Sequence, residues 1–269
     1  MPAPAPPLLT SLANPRVTAA VGLRDRRDRE RTGLTLIDGA REIRRALDRG
    51  VDVVEVFVCE PLLAGPDARA ALDRLRASGT TIRATTEPVF AKVAFGERAE
   101  GLVAVVRIPS TDLGALATPA DALVVVIEGV EKPGNLGAVL RSADGAGADA
   151  VIAATPRTDL FNPNAIRASA GTVFTLPLAS ASSAEVLAWL RERDFRIVAA
   201  RVDATTVYTD ADLTGRVAIV LGAEADGLTD TWTGADIAAV RLPMLGVADS
   251  LNVSVSAAVL LYESRRQRG

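Results

Sequence analysis

Histidine is absent from this 269-residue chain, and cysteine occurs once, at Cys59. Without histidine, the chain cannot form a histidine-dependent triad, a histidine metal site or an imidazole acid–base pair. A single cysteine excludes an internal disulfide and a cysteine-based zinc cage. We therefore expect chemistry that needs neither a metal nor an imidazole, and we expect Cys59 to be a small buried apolar residue.

We expect neither a membrane-spanning run nor a targeting segment. The first sixteen residues, MPAPAPPLLTSLANPR, have no basic start and no apolar run near the roughly 18 residues that a membrane span needs. Hydrophobic residues make up 49% of the chain and charged residues 23%, which is enough apolar material for one large or two modest cores. We expect a cytoplasmic protein without membrane contact, whose first ten or so residues are flexible.

Lysine is scarce. Of the 30 basic residues, all are arginine except Lys92 and Lys132. The net charge of −3 conceals an asymmetry: residues 1–110 carry 17 basic and 14 acidic residues, and residues 111–269 carry 13 and 19. Arginine binds phosphate through a planar fork and stacks on bases, which favours RNA contact in the N-terminal part. A general preference for arginine, independent of placement, is the alternative explanation.

Helical and strand patterns alternate in two series along the chain. A stretch of low hydrophobicity with two prolines and a glycine separates them. The sequence therefore predicts an α/β protein with a small N-terminal domain over 1–108, a linker over 109–120 and a C-terminal domain over 121–269. In the second series, apolar runs such as VVVI, AVIAA and AIVL indicate a parallel sheet covered on both faces.

The first cluster with chemical potential is GVEKPGNLGAVLRSADGAGA, residues 129–148. A glycine-containing loop that opens a helix offers backbone N–H groups to an anion. It does not match the dinucleotide fingerprint, and no acidic residue closes the next strand, so a nicotinamide-dependent oxidoreductase is disfavoured. Arg141 lies at one edge of the apolar helix face, and an exposed surface arginine is the alternative interpretation. The apolar face itself consists of Leu136, Val139, Leu140 and Ala143.

The second cluster is VLGAEADGL, residues 220–228, where an apolar strand stops at Gly222 and Glu224 follows. Ligands bind beyond the carboxyl ends of parallel strands, and close backbone approach there needs glycine. A carboxylate at this place can hold an arginine or a ribose. A plain turn after a buried strand is the alternative.

The third cluster is LPMLGVADSLNVSVSAAVLL, residues 242–261. Asp249, Ser250 and Asn252 precede a strongly apolar helix, so their structural interpretation is an N-cap. Ser250 is not a hydrolase nucleophile, because the chain lacks histidine and a G-x-S-x-G elbow.

In this order, four segments resemble the SpoU–TrmH branch of the SPOUT superfamily, RNA ribose 2′-O-methyltransferases that use S-adenosylmethionine. They are PGNLGAVLRSADGAGADAVI, NPNAIRASAG, LGAEADGL and LPMLGVADSLNVSVSAAVLLYE, and they span roughly residues 126–262. Residues 17–47 resemble, more loosely, the ribosomal-protein-like RNA-binding domain that precedes the catalytic domain in many members. The resemblance implies a deep trefoil knot in the catalytic domain and an obligate homodimer.

The resemblance also assigns site residues by motif position, with no metal among the cofactors. It implies that Arg141 acts either as general base or as a clamp on the adjacent phosphate. The clamp is the better match, because a general base would require a neutral guanidinium, and arginine stays protonated in proteins. The catalytic residues implied are Asn135, Arg141, Glu224, Ser250 and Asn252. The residues whose main chain would hold the adenosine part of the cofactor are Gly222, Leu242 and Leu251.

A dense arginine run lies just before GLTLIDG in the N-terminal domain. We hypothesise that four of its arginines contact phosphates of a folded RNA element. The alternative is a solvated helix in which the interleaved acidic residues pair with the arginines. The four residues are Arg24, Arg26, Arg27 and Arg31.

The function predicted from these observations is methyl transfer to a ribose 2′-hydroxyl, with large-subunit ribosomal RNA as the expected target. Both housekeeping and antibiotic-resistance enzymes fall within this prediction. A tRNA target is the alternative within the same class. A non-catalytic RNA-binding or ribosome-assembly protein is the alternative from another class, and it would be favoured if Asn135, Arg141 or Asn252 were replaced, but all three are present.

Overall fold

The structure is a computed structural model that describes residues 7–96, 100–223 and 226–269. Up to residue 108 the elements are, in chain order, α1 (Pro15–Gly22), α2 (Arg26–Thr32), β1 (Leu34–Asp38), α3 (Ala40–Asp48), β2 (Val53–Val58), α4 (Gly65–Ala77), β3 (Thr81–Ala84), α5 (Glu87–Val93) and β4 (Leu102–Arg107). Those that follow are β5 (Leu123–Glu128), α6 (Pro133–Gly145), β6 (Ala150–Ala154), α7 (Pro163–Ala168), β7 (Leu178–Ala181), α8 (Ser183–Glu192), β8 (Arg196–Ala200), β9 (Thr206–Val207), β10 (Val217–Leu221), β11 (Ile237–Arg241) and α9 (Val253–Arg268).

The chain forms two compact units. The first contains residues up to 109 and a later segment, 161–175, which the sequence analysis assigned to the second domain. This segment contains α7, which packs against β1. The Thr35 hydroxyl donates to the carbonyl of Phe161 at 2.7 Å, and Arg45 Nη1 donates to the carbonyl of Ala170 at 2.7 Å. Side-chain hydrogen bonds, one buried and one partly buried, thus attach the segment to the first unit.

The first unit is built on a mixed sheet in the order β1-β4-β2-β3. β4 pairs antiparallel with both β1 and β2, whereas β3 pairs parallel with β2. One face carries a core to which α1 and α5 contribute Val17 and Phe90. Cys59 is fully buried in this core, which confirms the expectation of an apolar structural role.

The second unit contains a seven-stranded sheet in the order β7-β6-β5-β10-β8-β11-β9, within the part of the chain that the structure describes. Every neighbouring pair is parallel. The residues of β5, β6 and β10 are all buried, as expected of strands covered on both faces. The predicted α/β class with a parallel sheet is confirmed.

Helices α6 and α9 lie side by side and parallel. Near their N-terminal ends, Asn252 Nδ2 donates to Asn135 Oδ1 at 3.3 Å. At their C-terminal ends, Arg265 donates from Nε and Nη2 to the carbonyl of Ala146, at 2.9 and 2.8 Å. Because α6 also packs on β6 and α9 on β10, the two N-termini are held at a fixed place beside the sheet.

Two segments that sequence patterns indicated as irregular make defined contacts. In the stretch expected to be a linker, Leu113 and Leu116 are buried in the core of the second unit. At the N-terminus, residues 1–6 lie outside the described residues. Leu9, within the stretch predicted to be flexible, donates its N–H to the carbonyl of Ala84 at 2.8 Å and accepts from Thr86 N at 3.1 Å.

Among the described residues, no helix is long and apolar enough to cross a membrane.

The buried side of α9 yields a prediction about pH. Hydrogen bonds from Arg266 (Nε–Oε2, 2.8 Å) and Gln267 (Nε2–Oε1, 2.8 Å) lower the pKa of Glu263 from 4.5 to about 2. Folding therefore favours the ionised carboxylate, and this stabilisation is present above pH 4.5 and is lost as the pH falls towards 2. We expect Glu263→Gln to unfold at lower urea concentration than the wild type at pH 7.

The pH dependence is the critical part of that measurement. The difference in unfolding free energy between the two proteins should shrink steadily between pH 4.5 and pH 3. A difference that stays constant over this range would contradict the assignment of the ion pair to Glu263.

Candidate functional site

A cavity of about 430 Å³ lies at the carboxyl ends of three adjacent parallel strands, β8, β10 and β11. The segment immediately before α9 closes it on another side. In an open parallel sheet, this is the edge where ligands bind. Besides the ends of the strands themselves, the lining includes Arg201, Gly222, Ala223, Asp226, Gly227, Leu242, Met244, Asp249, Ser250, Leu251, Val253 and Ser256.

One wall of the cavity is a tight hairpin, whose described residues are 222–223 in one arm and 226–228 in the other. Ala223 N donates to the carbonyl of Gly227 at 3.1 Å, and Gly227 N donates to the carbonyl of Ala223 at 3.0 Å. A Cβ on Gly222 would lie 2.2 Å from the carbonyl carbon of Gly227, a distance that real Cβ atoms do not show. Glycine at 222 is thus required by the hairpin's own backbone.

The residues expected to hold the cofactor share this cavity. Gly222, Leu242 and Leu251 all line it, and so does Ser250 from the catalytic set. Gly222 and Leu242 directly follow β10 and β11, so the parallel sheet itself brings them together. Glu224, expected to be catalytic, lies outside the described residues.

The expected catalytic residues Asn135 and Asn252 are brought together by the pairing of α6 and α9. Asn252 is the N-cap of α9, since its Oδ1 accepts from the N–H of Ser254 at 2.9 Å and from its hydroxyl at 2.6 Å. This leaves its amide nitrogen to donate to Asn135. The N-cap interpretation and the site assignment are therefore compatible, because one amide group serves both.

Arg141 is exposed on α6, while the apolar face beneath it is fully buried, as the spacing predicts. Within the described part of the chain, its guanidinium has no hydrogen-bond or ion-pair partner, and no such bond joins it to Ser250 or Asn252. Asn135 lies six residues earlier on the same helix, which is about 9 Å along the axis. The guanidinium is available to a ligand in solvent.

Polar residues of the cavity wall that the sequence analysis did not select include Arg201 and Asp226. Arg201 is held by Asp203 through two bonds, Nε–Oδ1 at 3.0 Å and Nη2–Oδ2 at 3.1 Å. These bonds with Arg201 lower the pKa of Asp203 below its usual value. The position of Arg201 could have indicated this role from the sequence. Arg201 directly follows β8, and the carboxyl end of β8 lies beside that of β10.

The four arginines proposed to contact RNA differ in what they already bind. Arg24 Nη2 donates to three carbonyls at the end of α5, those of Lys92, Val93 and Ala94, at 2.8 to 3.0 Å. Arg26 pairs with Glu30 at 2.7 Å, and Arg31 pairs with Asp28 at 2.9 Å. The Arg27 side chain is exposed and has no acceptor among the described residues.

These contacts bear on the hypothesis in different ways. The guanidinium of Arg24 stabilises the end of a helix, a structural role that the sequence did not indicate. The two ion pairs are exposed and match the solvated-helix alternative. Exposed pairs contribute little to stability, typically about 0–1 kcal/mol, so phosphates can replace their acidic partners.

Among residues 7–96, 100–223 and 226–269, no group of three or more acidic or cysteine side chains is placed to hold a metal ion.

Comparison with known proteins adds to this geometry. Residues 122–262 match the model of the SpoU rRNA Methylase family, and residues 14–104 match that of the MRM3-like substrate binding domain. The chain is 40% identical to the 23S rRNA (guanosine-2′-O-)-methyltransferase RlmB of Xylella fastidiosa, over 78% of this chain and 89% of that protein. It is 31% identical to the 23S rRNA (uridine(2479)-2′-O)-methyltransferase of Streptomyces viridochromogenes, over 91% and 87%.

Solved structures agree over nearly the whole length. An RNA 2′-O ribose methyltransferase with 42% identity superposes with a TM-score of 0.85, covering 97% of this chain and 99% of the other. An AdoMet-bound rRNA methyltransferase from Sinorhizobium meliloti, 27% identical, gives a TM-score of 0.88 and covers 97% of both chains. The cavity, the helix pair and these similarities lead to one conclusion: the chain belongs to the SpoU rRNA methylase family.

Proposed function

We propose that this protein transfers a methyl group from S-adenosylmethionine to the 2′-hydroxyl of a ribose in large-subunit ribosomal RNA. The observation that carries the proposal is the cavity at the ends of β8, β10 and β11, whose wall contains Gly222, Leu242, Ser250 and Leu251 together. Relatives that share most of the chain's length are named as 23S rRNA 2′-O-methyltransferases. The two act on different nucleosides, so we propose the RNA class and not the base.

The cavity fits S-adenosylmethionine in size and in character. Its volume of about 430 Å³ falls within the roughly 300–1,000 Å³ typical of small-molecule sites. Leu242 and Leu251 provide apolar surface for a purine. The backbone groups that follow β10 and β11 supply donors and acceptors for its edge and for the ribose. When bound, S-adenosylmethionine supplies a methyl group on a sulfonium, which is open to in-line attack by an alcohol oxygen.

The chain's own residues must then orient the attacking hydroxyl. Ser250, in the cavity wall, and the Asn135–Asn252 pair, at the two helix N-termini, offer hydroxyl and amide groups to the substrate ribose. Arg141 clamps the adjacent phosphate and orients the hydroxyl, whose proton is lost late or through water, since a guanidinium stays protonated at neutral pH and is a poor base. Positioning of this kind can lower a barrier by about 7–11 kcal/mol. Glu224 is proposed to hold Arg141 or Asn135 in place.

We also propose that the protein is a homodimer with the trefoil knot of its family, working in the cytoplasm, where it meets ribosomal RNA. Exposed apolar side chains support the dimer: Val255 and Tyr262, seven residues apart on α9, lie on one helix face and are exposed. Leu245 and Val247, just before α9, are fully exposed. Contiguous exposed apolar surface marks interaction sites.

The catalytic role of Arg141 gives the first test of this proposal. In Arg141→Ala we expect methyl transfer to a 23S rRNA fragment to fall by about 100-fold or more, because the phosphate clamp is lost. The Kd for S-adenosylmethionine, measured by calorimetry, should change less than about threefold. Arg141→Lys serves as the matched control, since it keeps the charge without the fork and should recover part of the rate.

Two results would count against the assignment. A weaker affinity for S-adenosylmethionine with an unchanged rate would remove Arg141 from the catalytic set. Wild-type protein that binds RNA but no S-adenosylmethionine would favour the non-catalytic alternative instead.

Contact between α2 and phosphates predicts a change in salt dependence. Removing one phosphate contact, as in Arg27→Ala of the full chain, should weaken RNA binding and reduce the slope of log affinity against log salt by about one. Arg69→Ala, which removes an exposed arginine from α4 of the same unit, is the matched control. Equal slopes for Arg27→Ala and the wild type would exclude this contact.

The dimer is tested by sedimentation equilibrium. The wild type should have twice the 28.0 kDa of the chain, and Val255→Glu should sediment as a monomer because a charge is placed in the apolar face. Val54→Glu, on an exposed valine of the first unit, should remain dimeric. A monomeric wild type would refute the proposed assembly.

A further inference from the structure

Glu128 ends β5 and is buried, with only 4% of its surface exposed. Its carboxyl group accepts three hydrogen bonds. Oε1 accepts from the Ser183 hydroxyl at 2.5 Å and from the Thr229 hydroxyl at 2.9 Å, and Oε2 accepts from Thr229 N at 2.8 Å. Burying such a group is costly unless it is hydrogen-bonded, and here both oxygens are satisfied. Two of the three bonds go to one residue, Thr229.

Thr229 directly follows the second arm of the hairpin, residues 226–228. At its other end the hairpin is continuous with β10 through Gly222, whose backbone lies against that of Gly227. The hairpin is thus fixed at both ends, by β10 at one and by the carboxyl group of Glu128 at the other. The residues between include Ala223, Asp226 and Gly227, which form one wall of the cavity.

A second attachment of the hairpin is weaker. Arg157 Nη2 approaches Asp226 Oδ2 at 3.4 Å, and Arg157 Nη1 pairs with Glu131. All three side chains are largely exposed, and exposed ion pairs contribute little. The buried carboxyl group is therefore the principal polar restraint on the far end of the hairpin, next to Leu228, which packs against the core of the second unit.

We propose that Glu128 is a positioning residue of the methyl-transfer site, which holds the hairpin wall of the cofactor cavity in place through Thr229. The inference rests on the proposed function for the identity of the ligand. Glu128 itself does not contact the cavity; it acts through the hairpin. Loss of its bonds to Thr229 should loosen the wall and weaken cofactor binding, whereas loss of its bond to Ser183 should not.

Thr229 offers the sharpest variants, because its side chain is not part of the core. Thr229→Val removes the hydroxyl and keeps the shape, and Thr229→Ser keeps the hydroxyl. In full-length protein we expect Thr229→Val to raise the Kd for S-adenosylmethionine about tenfold, which corresponds to about 1.4 kcal/mol. Thr229→Ser should stay within about twofold of the wild type. Glu128→Gln should weaken binding at least as much as Thr229→Val.

Ser183→Ala is the control for a purely structural role. It removes the third bond to the carboxyl group, on the side of α8, and leaves both bonds to Thr229. We expect a lower melting temperature with a Kd within about twofold of the wild type. Hydrogen exchange gives a readout that needs no ligand: the amides of Ala223 and Gly227, bonded across the hairpin, should exchange faster in Thr229→Val than in Ser183→Ala.

The outcomes separate this inference from the function on which it rests. If the wild type binds no S-adenosylmethionine, the proposed function fails, and hydrogen exchange still decides whether Glu128 restrains the hairpin. If the wild type binds and Thr229→Val binds equally well, the inference is overturned. It is also overturned if Ser183→Ala weakens binding as much as Thr229→Val does, because the carboxyl group would then be structural only.

Discussion

The hydrogen bond between Asn135 and Asn252 joins residues 117 positions apart in the chain. It closes the N-terminal ends of two parallel helices that are also tied at their C-terminal ends by Arg265 and the carbonyl of Ala146. Helix α6 follows β5 and helix α9 is the last element, so their pairing brings the first and third sequence clusters together. Most of the proposed site depends on this pairing, because neither cluster forms a site alone.

The second cluster, residues 220–228, lies in the same region for a different reason. Parallel strands end at a common edge, and β10 lies between β5 and β8 in the sheet. The hairpin after β10 needs glycine at 222, since any Cβ would meet the backbone of Gly227. The part of the cavity wall at Gly222 is thus shaped by main-chain atoms, and the end of β10 places it.

Sequence patterns predicted much of this. The buried face of α6, from Leu136 to Ala143, followed from helical spacing, and the parallel sheet followed from uninterrupted apolar strands such as β5. Other features depend on contacts between distant parts of the chain. Nothing in the sequence marks Glu128 for its role, since its partners Ser183 and Thr229 lie 55 and 101 residues away. Arg24 belonged to a charged run, but its three carbonyl acceptors come from α5.

The placement of residues 161–175 in the first unit affects how units can be exchanged between members of the family. The chain passes between its two units at three points, near residues 109, 160 and 175. A fragment that stops at 109 lacks α7 and leaves the Thr35 hydroxyl without the carbonyl of Phe161. Grafting the first unit onto the second unit of another family member therefore requires two separate stretches of sequence, 1–109 and 161–175, to be transferred together. After cleavage at any one crossing, one fragment still contains residues of both units.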